Sequence, residues 1–556
     1  MTLDFAVRLR NPELVGPARQ TPRETKRLSD IEDQVGLRWH VPFVLFYRGR
    51  GAAAGNDDPA AIVRRALGEA LVPYYPLAGR LREVERRKLV VDCTGEGVVF
   101  VEADADVRLA ELEAAGLRPP FPCMDQLLFD VKGSGGVLNS PLLLIQVTRL
   151  RCGGFVFALR LNHTMCDAAG IVQFMRAVGE LARGLPEPTV APVWLREILD
   201  ARSPPRPSFP HHEYDPVPPP PPSSFPPPGD MVMRTFTFGP DHVAAIKKGL
   251  SAQRDGSKAT TFEALAAFIW RARTAALEIP ADEDARLVIA ANVRGVRDLG
   301  LPAGYYGNAC VYPAVVATAA ALRVRGGGTL GAAVELVREA KRAAMSAEYV
   351  RSTADLMALC ERPSLVTANM LIVSDNRHAG FRHVDFGWGE PVYGGPAGAL
   401  FVLSFIVAVK NGDGEDAIDV PIALPRTAMD RFASEVTRLR CGGFVFALRL
   451  NHTMCDAAGI VQFMRAVGEL ARDLPEPTVA RSPPKPSFPH HEYDPVQPPP
   501  SSFPPPGDMV MRTFTFGPDV VVVEHRVEAQ RVLDGGERVP GVLGQRRHGI
   551  VGEHQD

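Results

Sequence analysis

Residues 147–191 recur at 436–480 with a single difference, Gly184 against Asp473. The correspondence runs on through a proline-rich tract and stops at Asp519, and the second copy lacks Pro192 to Ala201. This repeat limits what the chain can fold into. Each copy holds one apolar strand, a His-Thr-Met-Cys-Asp turn and one amphipathic helix. A single strand and a single helix bury too little surface to offset the entropy of ordering them. Two widely spaced copies do not make a solenoid. The chain therefore reads as one folded protein followed by an incomplete second copy of its middle, the product of a partial duplication or a fused gene model. Val436 onward is not expected to stand as an independent domain. The remainder, Val520 to Asp556, has no Phe, Trp, Tyr or Lys and shows weak patterning.

The folded part is long enough for large cores, and length alone suggests about two to four domains. With 46% apolar and 23% charged residues the composition is that of a globular protein. A net charge of −2 gives no reason to expect a nucleic acid or an anionic membrane as partner. Met1 to Gln20 has no continuous apolar run of the secretory kind, and nothing approaches the ~18 apolar residues of a membrane span. The eight cysteines contain no CxxC pair, so neither a zinc site nor a disulfide frame is expected, and a cytosolic protein fits.

The first forty residues show no clear period. Val41 to Tyr47 reads as a buried strand and Pro59 to Leu71 as a helix with proline in its first turn. Strands follow at Lys88 to Asp92, Val98 to Glu102, Leu142 to Val147 and Phe155 to Leu161, the last two separated by Gly153-Gly154. Beyond His163, Ile171, Phe174, Met175, Val178 and Leu181 recur at helical spacing, with Gly184 as the stop. Ser203 to Gly229 is about half proline, which neither pairs in a sheet nor continues a helix, so it reads as an extended, solvated crossover. A second globular region opens near Met231, with helices at Thr261 to Ala276 and Thr329 to Glu348 and a strand-loop at Leu287 to Arg294. It ends with strands at Phe401 to Val409 and Ala417 to Leu424 around an Asn411-to-Gly414 hairpin and a closing helix at Thr427 to Glu435. The expected organisation is 1–201, a linker at 202–230, 231–435, the partial duplicate at 436–519, and an unpatterned tail at 520–556.

His163 ends an apolar strand and precedes a helix, where an imidazole can project into a crevice. Imidazole titrates near neutrality and can take a proton from an alcohol or amine. Asp167, one turn on, can either accept from that imidazole or cap the helix from Ala168 while pairing with a distant arginine. Arg294 in Asn292-Val293-Arg294 is available for that pair. As metal ligands the two are weak, because two ligands do not close a site and no third is near. Asp385-Phe386-Gly387-Trp388-Gly389 reads as a tight loop that fixes an indole. His211-His212-Glu213 and its copy His490-His491-Glu492 sit among prolines and read as solvated linker. Gly326-Gly327-Gly328 reads as a loop. Cys166 has no separate histidine at a recognisable spacing and reads as buried.

Taken in order, HTMCD, NVRGVRD, LPAGYYGNA and DFGWG resemble the BAHD superfamily of plant acyl-CoA-dependent acyltransferases. Tyr75-Pro76-Leu77-Ala78-Gly79-Arg80, Thr261 to Leu265 and Trp270-Arg271 add to the likeness, which covers about Phe5 to Glu435. Arg10 to Val15 and Thr21 to Thr25 look most like the benzyl alcohol O-benzoyltransferase group.

The resemblance implies an α/β fold of two chloramphenicol acetyltransferase-like domains, each a mixed sheet flanked by helices, joined by the Pro-rich crossover. A largely disordered C-terminal extension would follow. It implies transfer of an acyl group, benzoyl or acetyl, from CoA to a small alcohol of plant specialised metabolism. His163 would be the general base, Asp167 would hold its loop through Arg294, and Asp385, Phe386, Gly387, Trp388 and Gly389 would support the site from a distance. Acyl-CoA is then a co-substrate, no cofactor or metal is bound, and the protein is a cytoplasmic monomer. His452 and Asp456, the duplicate motif, have no second partner region and are expected to be inactive. One departure stands out: Ala168 and Ala169 follow the aspartate where the family usually has glycine, which is delayed to Gly170, so the oxyanion donor is not assigned. Two rivals differ in class. A carrier-protein condensation domain would usually carry a second histidine where this chain has Asn162. A pseudoenzyme or scaffold would owe its inactivity to the appended segment, and an N-acyl or hydroxycinnamoyl transferase is the alternative within the family.

Overall fold

A computed structural model describes residues 3–50, 58–131, 136–216, 228–248, 250, 259–323, 327–410, 414–441, 510–515 and 523–528. Residues 2–440 form one compact unit and 441–556, with Met1, a second.

The first unit begins with short strands β1 (Val7–Leu9), β2 (Glu13–Val15) and β3 (Thr25–Arg27), then β4 (His40–Tyr47). Helix α1 (Pro59–Ala70) leads to β5 (Arg80–Glu83), β6 (Leu89–Asp92) and β7 (Val98–Ala105). Short helices α2 (Leu109–Ala114) and α3 (Met124–Leu127) precede β8 (Leu143–Leu150), β9 (Phe155–Asn162) and helix α4 (Ala168–Ala182). Past the crossover come β10 (Met231–Phe238), α5 (Pro240–Lys248), α6 (Thr261–Ala276), β11 (Asp284–Asn292), β12 (Cys310–Val311) and β13 (Ala314–Thr318). Helices α7 (Ala319–Arg323), α8 (Gly327–Ala344) and α9 (Ala347–Leu359) lead to β14 (Met370–Asp375), β15 (Tyr393–Pro396), β16 (Leu403–Lys410), β17 (Asp416–Pro425) and α10 (Arg426–Cys441).

Two mixed sheets of seven strands each organise this unit, with β3, β6 and β5 in a smaller one. The first sheet runs β1-β7-β8-β9-β4-β15 with β2 also on β7, and the second runs β10-β17-β16-β14-β11-β12 with β13 also on β11. Strand β15 comes from the second half of the sequence and pairs antiparallel with β4, so the first sheet is closed by residues beyond the crossover. The strands show why: side chains alternate between faces with period two. Val41, Phe43, Leu45 and Tyr47 of β4 and Phe155, Phe157, Leu159 and Leu161 of β9 pack in one core with α1 and α4. Val44 and Phe46 of β4, with Val156 and Ala158 of β9, face a second core that Tyr393 and Phe405 complete. Both faces of these strands are buried, so they read as continuous apolar runs. In the second sheet, Leu287 and Ile289 of β11 pack with Leu265, Ile269 and Trp270 of α6.

The structure corrects several expectations, among them the loop read at Gly326-Gly327-Gly328, since α8 begins at Gly327. The single helix expected over Thr329 to Glu348 is two, because the Ser346 side chain accepts a hydrogen bond from the Tyr349 amide at 3.1 Å and starts α9 afresh. The His-His-Glu segment is not solvated linker: His211 and Glu213 are buried. His211 Nδ1 lies 3.1 Å from Glu213 Oε1 and its Nε2 lies 2.8 Å from Ser352 Oγ, while the Tyr349 hydroxyl donates to Glu213 at 3.1 Å. Proline spacing reports backbone conformation and says nothing of what a crossover packs against. The closing helix does not end at Glu435, because α10 takes in Val436 to Cys441, the opening of the second copy. Among the described residues no helix is long and apolar enough to cross a membrane.

In the second unit the described residues beyond Cys441 are β18 (Val510–Thr515) and β19 (Val523–Glu528), paired antiparallel. Strand β19 falls in the tail expected to be unpatterned. Val523, His525 and Val527 alternate there with Glu524, Arg526 and Glu528, a strand period in a charged segment. His452, Asp456, the copy His490-His491-Glu492 and the duplicate other than Val436–Cys441 and β18 lie outside the described residues, as does the expected disorder of the extension.

Candidate active site

Strand β9 delivers His163 one residue past its end. The His163 amide donates to the Trp39 carbonyl at 3.0 Å, and the two rings lie 6.2 Å apart. A turn follows, held by the Asn162 side chain, which accepts from the Thr164 hydroxyl at 2.8 Å. Asp167 then caps α4, its Oδ1 accepting from the Gly170 amide at 2.9 Å. Its Oδ2 accepts from Arg294 Nη1 at 2.6 Å, from the Ala309 amide at 2.9 Å and from Cys310 Sγ at 3.4 Å. Both oxygens are thus engaged away from the imidazole. Burial pushes the Asp167 carboxyl pKa up, but the Arg294 charge and these hydrogen bonds outweigh it and hold the pKa below its ordinary value.

His163 opens onto a cavity of about 550 Å³. Strands β4 and β9 wall it through Val41, Phe43 and Leu161, and β11, β14 and β16 wall it through Ala290, Met370, Ile372, Leu403 and Phe405. Trp39, Leu37 and Leu365 add to an apolar lining broken by a few polar groups, among them Gln34, Asn292, Thr367, Ser374 and Asn376. The volume and the mix suit a small organic substrate. The buried ring nitrogen is Nδ1, so Nε2 is the one turned to the cavity. Burial lowers the His163 pKa from its ordinary 6.5, against the opposing pull of its own carbonyl, the Asp167 charge, the Asn308 side chain and the Cys166 carbonyl. Burial therefore favours the neutral imidazole, the form able to accept a proton.

Gly170 explains the delayed glycine of the motif. A Cβ there would lie 2.0 Å from the Tyr306 carbonyl oxygen and 2.7 Å from the Cys166 Cβ. The first turn of α4 is pressed against the segment after β11, and that approach lets Ala309 and Arg294 reach Asp167. Gly170→Ala is expected to lose about 1–3 kcal/mol of stability through overpacking against backbone. A thermal melt reads this as a fall of several degrees, and an unchanged melt would deny the close approach.

The Asp385-to-Gly389 loop does not line the cavity. Asp385 Oδ1 accepts from the amides of Gly387 at 2.7 Å and Gly389 at 2.8 Å, and both glycines have positive φ, 103° and 82°. Phe386 is buried against Tyr47 and Phe157, with centroids 5.5 and 4.9 Å apart. Trp388 meets Phe155 edge-on at 5.2 Å, and the Arg50 guanidinium lies 4.1 Å from its ring. This loop from the second half is a plug in the core beneath β4 and β9, the strands that carry Trp39 and His163 at their ends.

Sequence reasoning assigned no role to Trp39, Asn308, or the buried pair of Arg196 and Glu32. Arg196 Nη2 donates to the Met165 carbonyl at 3.1 Å and Glu32 Oε1 accepts from the Asn308 amide at 2.9 Å. Asn308 lies in the Gly304-Tyr305-Tyr306-Gly307-Asn308-Ala309 run that carries part of the family resemblance, which marks its place but not its role. Among the described residues no cluster of His, Cys, Asp and Glu is placed to hold a metal.

The model of the Transferase family matches residues 5–436, and matches again over 430–534. The chain belongs to this family, the BAHD acyltransferases. Its first match ends inside α10, and its second spans the whole duplicate, 436–519. Benzyl alcohol O-benzoyltransferase of Petunia hybrida is 50% identical over 445 residues, 79% of this chain and 95% of the relative. Alcohol acyltransferase 16 of Actinidia chinensis var. chinensis is 48% identical over 439 residues, 79% of this chain and 94% of the relative. Among solved structures, vinorine synthase aligns with a TM-score of 0.59 at 22% identity, over 78% of this chain and 98% of that one. TRI101 of F. sporotrichioides, solved with coenzyme A and T-2, aligns with a TM-score of 0.59 at 17% identity, over 75% and 98%. These structures share the fold of the BAHD chain described here.

Proposed function

We propose that the protein transfers an acyl group, benzoyl or acetyl, from acyl-CoA to the hydroxyl of a small alcohol, with His163 as general base. One observation carries the assignment of the base: His163 presents Nε2 to an apolar cavity while both oxygens of Asp167 are committed to Arg294, Ala309 and Gly170. The alcohol O–H gives its proton to Nε2 as its oxygen bonds to the thioester carbon. The carbonyl electrons move to oxygen and form a tetrahedral oxyanion. Its collapse breaks the C–S bond and expels CoA thiolate, which takes the proton back from the imidazolium. The products are an ester and CoA, with no acyl-enzyme and no bound cofactor. Asp167 and Arg294 act as a brace and do not touch substrate. The aromatic and aliphatic walls favour an apolar acyl or alcohol moiety, in keeping with the benzyl alcohol and alcohol acyltransferases among the relatives. In this reading the enzyme is a cytosolic monomer, cytosolic as its cysteine content suggests and monomeric as the family resemblance implies.

The duplicate motif adds no second site. The groups around His163 and Asp167 that come from elsewhere, Trp39, Arg294, Asn308 and Ala309, occur once in the sequence. Incubating purified full-length protein with benzoyl-CoA or acetyl-CoA and a panel of alcohols tests the function. Ester and free CoA in equal amounts are expected. Folded protein inert with every pair would overturn it in favour of a scaffold.

A further inference from the structure

The His163 imidazole must be held so that Nε2 carries the lone pair, which requires the proton on Nδ1. A carboxylate often does this in other enzymes. Here the motif carboxylate is occupied, and the buried Nδ1 makes no hydrogen bond of full geometry. A second buried orphan sits on the residue that binds the His163 carbonyl: Asn308 Oδ1 also has no partner. Asn308 is fully buried, and its amide nitrogen Nδ2 donates to the carbonyls of His163 at 2.8 Å and Thr164 at 3.1 Å. Two carbonyl acceptors on one side fix which way the carboxamide faces, since only the NH2 end can donate. That leaves Oδ1 as the unfilled acceptor beside the unfilled donor.

We propose that Asn308 is a positioning residue for His163: Nδ2 clamps the His163 carbonyl, and Oδ1 receives the Nδ1 proton, fixing the tautomer in which Nε2 is the base. Buried polar atoms left unpaired are costly, and a hydrogen bond between these two would satisfy both. The same contact steadies the imidazolium during turnover without placing a full negative charge beside it. A carboxylate at this position would favour the protonated ring at rest. Asn308 is itself held rigidly. Its backbone amide donates to the buried Glu32, which pairs with Arg196, and Gly307 leaves the room this pair needs, since a Cβ there would lie 2.2 Å from Glu32 Oε1.

The inference rests on His163 as the base, so its test has a readout independent of activity. In full-length protein labelled with ¹⁵N-histidine, with the His163 signals assigned by their loss in His163→Ala, His163 is expected in the Nδ1–H tautomer. Finding Nε2–H would overturn the proposal whether or not the enzyme is active. Asn308→Ala is expected to lower kcat by about 10- to 100-fold, the scale on which outer partners act on the metal-bound histidines they orient, with KM for benzoyl-CoA within about twofold. Asn308→Asp, nearly isosteric, is expected to move the acidic limb of the kcat/KM profile to higher pH by favouring imidazolium. If the alanine variant does not fold, the aspartate variant decides. A folded Asn308→Asp enzyme with an unmoved limb would overturn the proposal, as would a folded Asn308→Ala enzyme with wild-type kcat. Full activity of His163→Ala would instead remove the base assignment and leave the tautomer result standing by itself.

Discussion

His163→Ala is expected to lower kcat by about 10²–10⁴-fold while the protein stays folded, because a general base contributes on that scale. The fold should survive, since the ring's buried nitrogen makes no hydrogen bond of full geometry and its other side faces the cavity. The backbone amide of residue 163 keeps its bond to Trp39 in the variant. The acid limb of the wild-type profile is expected below pH 6.5, because burial lowers the His163 pKa from that ordinary value. The linkage runs with it. Below about pH 6.5 the unfolded chain takes up a proton that folded His163 resists, so the stability due to this group falls as pH falls. Rate measurements from pH 5 to 8 on both proteins check this, and a near-wild-type rate in the variant would end the assignment of the base. A residual rate in His163→Ala that disappears in His163→Ala/His452→Ala would give the second copy a role; equal rates in the two variants are expected.

The second large effect concerns stability. Arg294→Met is expected to destabilise the protein by about 3 kcal/mol, the lower end for breaking a buried ion pair, because the arginine retains some access to solvent. The change removes the 2.6 Å contact to Asp167 and the 2.6 Å bond to the Gly307 carbonyl, leaving a buried carboxylate with only neutral donors. Activity should fall too, since the turn carrying His163 is tied down through Asp167. The pH dependence separates charge from shape. In the wild type Arg294 holds the Asp167 pKa below 3.8, so the pair's stability is present above that value and is lost only as pH falls through the folded pKa. Without Arg294, burial dominates and the acid transition of the variant should move to higher pH. Denaturant melts at pH 7 and pH 5 would show it, and equal midpoints for both proteins would remove the brace.

Much of this was legible in the residues. The strands and helices that run as long apolar or periodic segments, β4, β9, α1, α4 and α6, lie within a few residues of their expected bounds. Burial of both faces or one leaves a direct pattern in sequence. The pairing of Arg294 with Asp167 could be named only as an available contact. Asn308 and Gly170 were visible as letters without roles, because what each one does depends on backbone groups of distant residues. The buried His211 and Glu213 were misread for the same reason: a polar side chain among prolines looks solvated until its partners on α9 are known.

The first six residues of the repeat mark the boundary most sharply. Val147-Thr148-Arg149-Leu150-Arg151-Cys152 and Val436-Thr437-Arg438-Leu439-Arg440-Cys441 are identical. The first runs through the end of β8, with Val147 and Leu150 buried between β7 and β9. The second is the last turn and a half of α10, where Val436 continues the buried stripe of Met429 and Phe432. Six residues carry too weak a preference to resist their surroundings, and a flanking strand pair or a preceding amphipathic helix settles the outcome. The sequence by itself determined the family, the order of the long elements and the histidine that faces the cavity. Only the tertiary structure decided which identical letters become strand or helix, and which neighbours surround that histidine, because both depend on contacts between residues far apart in the chain.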